Sequence, residues 1–168
     1  STKYSQIFRS IDGNSFSPVF TDGKANRIEL AVSPNQPDWV YAVASNGNSG
    51  LYGIFKLTDS GFTYNEVFSG STKNLLTWES DGSGTGGQGW YDLALAASPF
   101  DANILLVGGV NSWRSFDGGA SWSITNHWYG DMVQAVHADK HKLAYRSNGD
   151  VFECNDGGVY LSPDNGSS

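Results

Sequence analysis

Apolar residues along this chain come in short bursts that either alternate with polar ones or run unbroken for a few positions. Arg27-Ile28-Glu29-Leu30-Ala31-Val32 is of the first kind and Ile104-Leu105-Leu106-Val107 of the second. Both kinds read as strands. Gly, Pro or Asn interrupts each run before three helical turns can form, so no helix is predicted. Pro34 and Pro99 cannot donate to a sheet ladder, and each ends a strand. The predicted strands are 28–32, 39–44, 51–57 and 62–68, then 91–97, 104–110, 112–115 and 121–126. A third set begins near Val133 and continues at 151–154 and 158–162. Ahead of the first set, 4–9 and 16–20 read as two more strands.

The bursts repeat. Ser10 with Asp12, Thr58 with a slipped Asp59, Ser115 with Asp117, and Ser162 with Asp164 mark a ruler whose steps are 48, 57 and 47 residues. IELAVSPNQPDWVYAV (28–43) and LALAASPFDANILLVG (93–108) share a second pattern: an apolar run, Ser-Pro, a polar turn and another apolar run. Four-stranded units of about 40–50 residues are the signature of β-propeller blades, which pack face to face around an axis. The expected fold is all-β, a propeller segment of about three and a quarter blades in one domain. Residues 1–26 end one blade, 27–70 and 71–130 are blades, and 131–168 is an incomplete one.

Composition narrows the partners. Charged residues make up 16% of the chain, below the roughly 25% of typical soluble proteins, with 21 glycines and 14% aromatics. This balance suits a secreted or cell-surface β-protein. The net charge is −7 and the ten Lys and Arg are scattered, so nucleic acid is not an expected partner. No apolar run approaches the ~18 residues of a membrane span, and no membrane insertion is expected. The single Cys154 leaves no internal disulfide, and it reads as a small buried hydrophobe.

With the repeat in hand, SFDGGASW (Ser115–Trp122) resembles the Asp-box, or BNR repeat, Ser-x-Asp-x-Gly-x-x-Trp, found in sialidases, xyloglucanase-type hydrolases and sortilin/Vps10 propellers. NRIELAVSP, GQGWYDLALAASP, VNSWRSFDGGASW, VHADKHKLAY and NDGGVYLSPDNGSS extend the resemblance to propellers frequent in secreted surface proteins of Bacteroidota. The resemblance implies that Ser115, Asp117, Gly119 and Trp122, and likewise Ser162, Asp164 and Gly166, are structural and lie away from the functional face. SPDNGSS stops one place before the Trp that the box calls for. The expectation is a fragment whose open edges are covered by remaining blades or by another chain.

Three stretches carry candidate chemistry. Gly84-x-Gly86-x-x-Gly89 matches a dinucleotide fingerprint, but the alternating run that follows it is no helix, so it reads as a flexible connection between blades. Trp90, Tyr91 and Asp92 sit where an inner strand begins near the propeller mouth, and aromatic rings beside a carboxylate suit a sugar. His137-x-Asp139-x-His141 in an extended strand would present all three side chains on one face. They are candidates for a binding face, a polar network or a metal, although four ligands are wanting and Lys140 and Lys142 flank them. No metal and no cofactor is assigned.

An enzyme needs more. A sialidase uses an arginine cluster, and only Arg27 of the four arginines stands at a fitting position. A xyloglucanase-type hydrolase uses two carboxylates across a cleft, for which Asp92 and Asp131 are the candidates. The expected function is binding of glycan or protein, with a glycoside hydrolase as the alternative. Trp90, Tyr91, Arg27, His137, Asp139 and His141 would be the binding residues.

Overall fold

The computed structural model describes residues 4–60 and 62–167. Among them are fourteen strands and no helix. The strands β1 (Gln6–Arg9) and β2 (Ser17–Thr21) form a two-stranded sheet. A four-stranded sheet follows: β3 (Ile28–Ser33), β4 (Gln36–Ser45), β5 (Leu51–Thr58) and β6 (Thr63–Ser69). The next holds β7 (Ala94–Ala97), β8 (Leu105–Gly108), β9 (Ser112–Ser115) and β10 (Ser123–His127), with β11 (Gln134–Ala135) added at its outer edge. The last holds β12 (Lys140–Tyr145), β13 (Val151–Asn155) and β14 (Gly158–Ser162). Strands consecutive in the chain pair antiparallel within each sheet, and β11 alone pairs parallel, with β10.

The unbroken apolar runs follow from burial on both faces. Successive side chains of a strand point to opposite sides of its sheet. Along β4, Tyr41 and Val43 enter a core shared with β7–β9, while Ala42 and Ala44 enter one shared with β1 and β2. In β7, Leu95 and Ala97 join the first of these cores, and Ala94 and Ala96 pack toward Leu143 and Val151 of the last sheet. The first strands of neighbouring sheets meet, β3 and β12 each lying against β7.

Antiparallel order sorts the connections into two ends. Ala94 stands opposite Gly108, Gly108 opposite Ser112, and Ser112 opposite Asn126. The loop entering β7, the β8–β9 turn and the segment leaving β10 therefore share one end, here called the mouth. The β9–β10 turn lies at the other end. There Ser115 Oγ donates to Asp117 Oδ1 at 2.8 Å, the Gly119 N–H donates to Ser115 Oγ at 2.9 Å, and Ser121 N–H donates to Asp117 Oδ1 at 2.8 Å. Trp122 closes the turn, its Nε1 donating to the Gly119 carbonyl at 2.8 Å. Gly118 and Gly119 take φ of 71° and 92°, which costs a glycine little. Ser10 with Asp12 and Ser162 with Asp164 repeat the serine–aspartate bond at 3.0 and 2.7 Å.

The structure departs from the sequence reading at four places. Thr58–Asp59 does not close in this way: Asp59 and Ser60 both have positive φ, and Ser60 bonds Asp38 instead. The strand expected over 91–97 starts at Ala94, because Tyr91 and Asp92 N–H groups turn back onto the Gln88 carbonyl. The residues after Val133 add to the preceding sheet as β11, and the last sheet begins at Lys140. His137, Asp139 and His141 do not alternate along one strand, since Asp139 takes φ of 68° and the β12 register shifts between Lys140 and Lys142.

Candidate functional site at the mouth

The loop between β6 and β7 builds most of the mouth. Asn74, buried, organises it: its Oδ1 accepts from the N–H groups of Leu51 and Leu76, and its Nδ2 donates to the carbonyls of Gly84 and Gly86 at 2.8 Å each. Gly89 N–H donates to the Ser49 carbonyl at 2.9 Å. The glycine-rich stretch is thus pinned, not a loose connector. A Cβ on Gly87 would collide with the carbonyls of Leu76 and Ser49, so glycine is required there by close backbone approach.

That loop delivers Trp90, Tyr91 and Asp92. Arg27 reaches across from the neighbouring sheet, donating to the Tyr91 carbonyl at 2.7 Å and the Trp90 carbonyl at 3.3 Å, and it pairs with Glu29 at 3.1 Å. Its guanidinium therefore clamps the backbone below the two aromatics. Trp90 is 64% exposed, with its ring 5.4 Å from that of Tyr91. The Tyr91 hydroxyl donates to Asp156 Oδ2 at 3.1 Å, and its ring meets the His141 ring edge-on at 4.8 Å. His141 Nε2 lies 2.8 Å from Asp156 Oδ1. The hydrogen bonds from His141 and then Tyr91 hold the exposed Asp156 carboxyl below the ordinary carboxylate range. His137 borders the group, its ring packed where a side chain on Gly157 would fall.

Asp92 points the other way. It is 1% exposed, and among the described residues no N–H or O–H reaches either carboxyl oxygen. Burial, and then the neighbouring Asp139 carboxylate, push it up to about 8. Desolvation thus favours the protonated form of Asp92. Asp139 also accepts from Gln88 Nε2 at 2.9 Å. Behind them Lys140 is fully buried, donating from Nζ to the Val110 carbonyl at 2.8 Å and lying 3.8 Å from Glu153 Oε1. Glu153 in turn accepts from Ser112 at 2.6 Å and Asn126 at 3.0 Å.

Asp131 does not join this group. It accepts from Ser80 Oγ at 2.5 Å, near the segment that leaves β10. The structure thus gathers Arg27, Trp90, Tyr91, Asp92, His137, Asp139 and His141 at one place and leaves Asp131 at another. Asp156 was missed in the sequence. Its signal was the Asp156-Gly157 pair between two short strands, a hairpin turn that falls at the same end as Trp90. Among the described residues no group of three or more His, Cys, Asp or Glu is arranged to hold a metal ion.

The chain aligns with a GH74 enzyme of Niastella koreensis at 20% identity and a TM-score of 0.67. The alignment covers 96% of this chain and 25% of that one. The GH74 xyloglucanase of Xanthomonas campestris aligns at 18% identity and 0.62, covering 96% and 26%. The extracellular domain of a one-component system from B. thetaiotaomicron aligns at 12% and 0.60, covering 95% and 19%. The fold is a β-propeller segment. Its sheets are blades, and the chain spans about a quarter of the length of the two GH74 enzymes it matches. No family model and no curated protein matches the chain. In propeller terms, the mouth group sits where the innermost strands β3, β7 and β12 begin, next to the axis.

Proposed function

We propose that this propeller segment is extracellular and that its mouth binds a neutral glycan. One observation carries the reading: the exposed Trp90 ring stands beside Tyr91, whose hydroxyl shares the Asp156 carboxylate with His141. An aromatic face stacks on the apolar face of a pyranose, and an ionised carboxylate accepts from its hydroxyls. The net charge of −7 disfavours an anionic ligand. Arg27, which could otherwise meet a carboxylate on the sugar, is already committed to backbone carbonyls. The turns at Ser10, Ser115 and Ser162 belong in this reading to the Asp-box type, and they brace the end away from the ligand.

Calorimetric titration with xyloglucan oligosaccharides tests the proposal, the choice of sugar following the xyloglucanase among the similar structures. Binding that is lost in Trp90→Ala and weakened in Asp156→Asn, with melting unchanged in both, is the expected result. Absence of binding to xyloglucan and to a panel of other neutral glycans would overturn it.

The exposed Asp156 favours a second reading, part of a glycoside hydrolase. An ionised carboxylate at the mouth suits a general base or nucleophile, whereas Asp92 is too buried to touch a substrate. The facing acid would come from outside the described residues. New reducing ends released from xyloglucan by the wild type and not by Asp156→Asn would establish this reading over simple binding.

A further inference from the structure

A second aromatic cluster lies at the same end of the molecule, where β10 leaves its blade. Trp78, Trp128 and Tyr129 are 42%, 45% and 59% exposed. The Trp128 and Tyr129 rings meet edge-on at 4.7 Å. Two buried polar side chains hold this group in place. Asn111 donates to the carbonyls of Thr77 and Trp78 at 3.1 and 3.2 Å and accepts from the Trp128 N–H at 3.1 Å. His127, fully buried, contacts the Trp78 carbonyl through Nε2 at 2.9 Å and packs its ring against Tyr129 at 4.2 Å. Burying polar groups is unfavourable unless they are satisfied, and here their bonds hold the backbone that carries the exposed Trp78 and Trp128.

Trp78 and Trp90 belong to the same β6–β7 loop. The strands that carry the two clusters, β7 and β10, are three ladder spacings apart, roughly 14 Å. We propose that the second cluster is a further saccharide-stacking station, so that a long neutral oligosaccharide lies across the blade from Trp90 to Trp128. This rests on the glycan reading of the mouth. The polar groups near the rings suit sugar hydroxyls: Asp131 lies two positions after Tyr129 in the chain, with Ser80 bonded to it.

The test titrates the 168-residue chain with a xyloglucan oligosaccharide of one repeat unit and with one of two units. The longer ligand is expected to bind the wild type more tightly. The double variant Trp128→Ala/Tyr129→Ala should weaken the longer ligand by roughly tenfold, the loss typical of truncating a buried aromatic contact, and leave the shorter one unchanged. Trp128→Phe should retain most of the affinity, and circular dichroism and melting should match the wild type. Equal affinity of the two ligands for the wild type, or equal loss of both in the double variant, would overturn the second station while leaving the mouth site standing. Failure of both ligands to bind the wild type would remove the mouth reading and the second station together. Tryptophan quenching by tetramethylammonium, present in the wild type and absent in the double variant, would make the cluster a cation cage and overturn the saccharide assignment.

Discussion

Gln88 donates from Nε2 to Asp139 Oδ1 at 2.9 Å, and this bond ties the loop entering one innermost strand to the segment entering the next. Two neighbouring blades are thereby joined at the axis by side chains as well as by their cores. Gln88→Leu should lower stability by about 1–2 kcal/mol, the cost of one bond to a charged acceptor in a half-buried place. It should also weaken any ligand held by Trp90 and Tyr91, because their loop loses its anchor. Urea unfolding and titration of the same sample check both effects. Unchanged affinity with reduced stability would mean that Arg27 and Asn74 alone position the aromatics.

Asp92 sets a pH dependence. Its carboxyl is raised from the ordinary 3.8 to about 8, by burial first and by Asp139 second. Between those values the folded chain keeps a proton that the unfolded chain has released. Stability therefore falls as pH rises through this window, by up to about 1.4 kcal/mol per pH unit, and this contribution levels off above pH 8. Asp92→Asn cannot titrate and should flatten the curve of unfolding free energy against pH between 4 and 8. A slope identical to the wild type would show that the proton resides elsewhere.

Asp117→Ala removes an acceptor used by Ser115 and by the backbone and hydroxyl of Ser121. The expected loss is about 1–2 kcal/mol of stability. Affinity per folded molecule should not change, because the turn lies at the end opposite the mouth. A large affinity loss with unaltered melting would assign that turn to the ligand.

Gly87→Ala would press a methyl group onto the carbonyls of Leu76 and Ser49. The cost should be about 1–3 kcal/mol, with the damage concentrated in the β6–β7 loop. Hydrogen exchange should show faster amide exchange at Gly89, whose N–H bonds the Ser49 carbonyl, while β8 and β9 keep wild-type protection. Uniform loss of protection would indicate that the loop and the blades unfold as one unit.

The blades were legible because short apolar runs such as Val40–Ala44 and Leu105–Val107, cut by turn residues, read as strands, and the structure covers them on both faces. The clustering of Trp90, Tyr91 and Arg27 near the first strand was legible from the repeat. Local conformation was not. Alternation predicted a shared face for His137, Asp139 and His141, but it assumes an extended backbone, and Asp139 takes a left-handed φ. Lys140 was invisible as an interior residue because lysine is almost never fully buried without a partner, and its partners, the Val110 carbonyl and Glu153, lie 30 and 13 positions away. Asp156 carried no mark beyond its turn, since its role comes from Tyr91, 65 residues earlier.

The β6–β7 loop leaves β6 after Ser69 and enters β7 at Ala94, and both points lie at the mouth end. It supplies Trp78, Trp90 and Tyr91 without contributing a strand to either blade. Under the proposed function, recognition is carried on an inserted loop and not on the blades. On the glycan reading, exchanging residues 71–91 for those of another propeller would change what the mouth accepts while the ladders of both flanking blades stay as they are. The buried Leu75 and Leu76, Asn74 with its Leu51 contact, the Gly89–Ser49 and Gln88–Asp139 bonds, and the docking of Trp78 onto Asn111 and His127 would have to travel with the transplant.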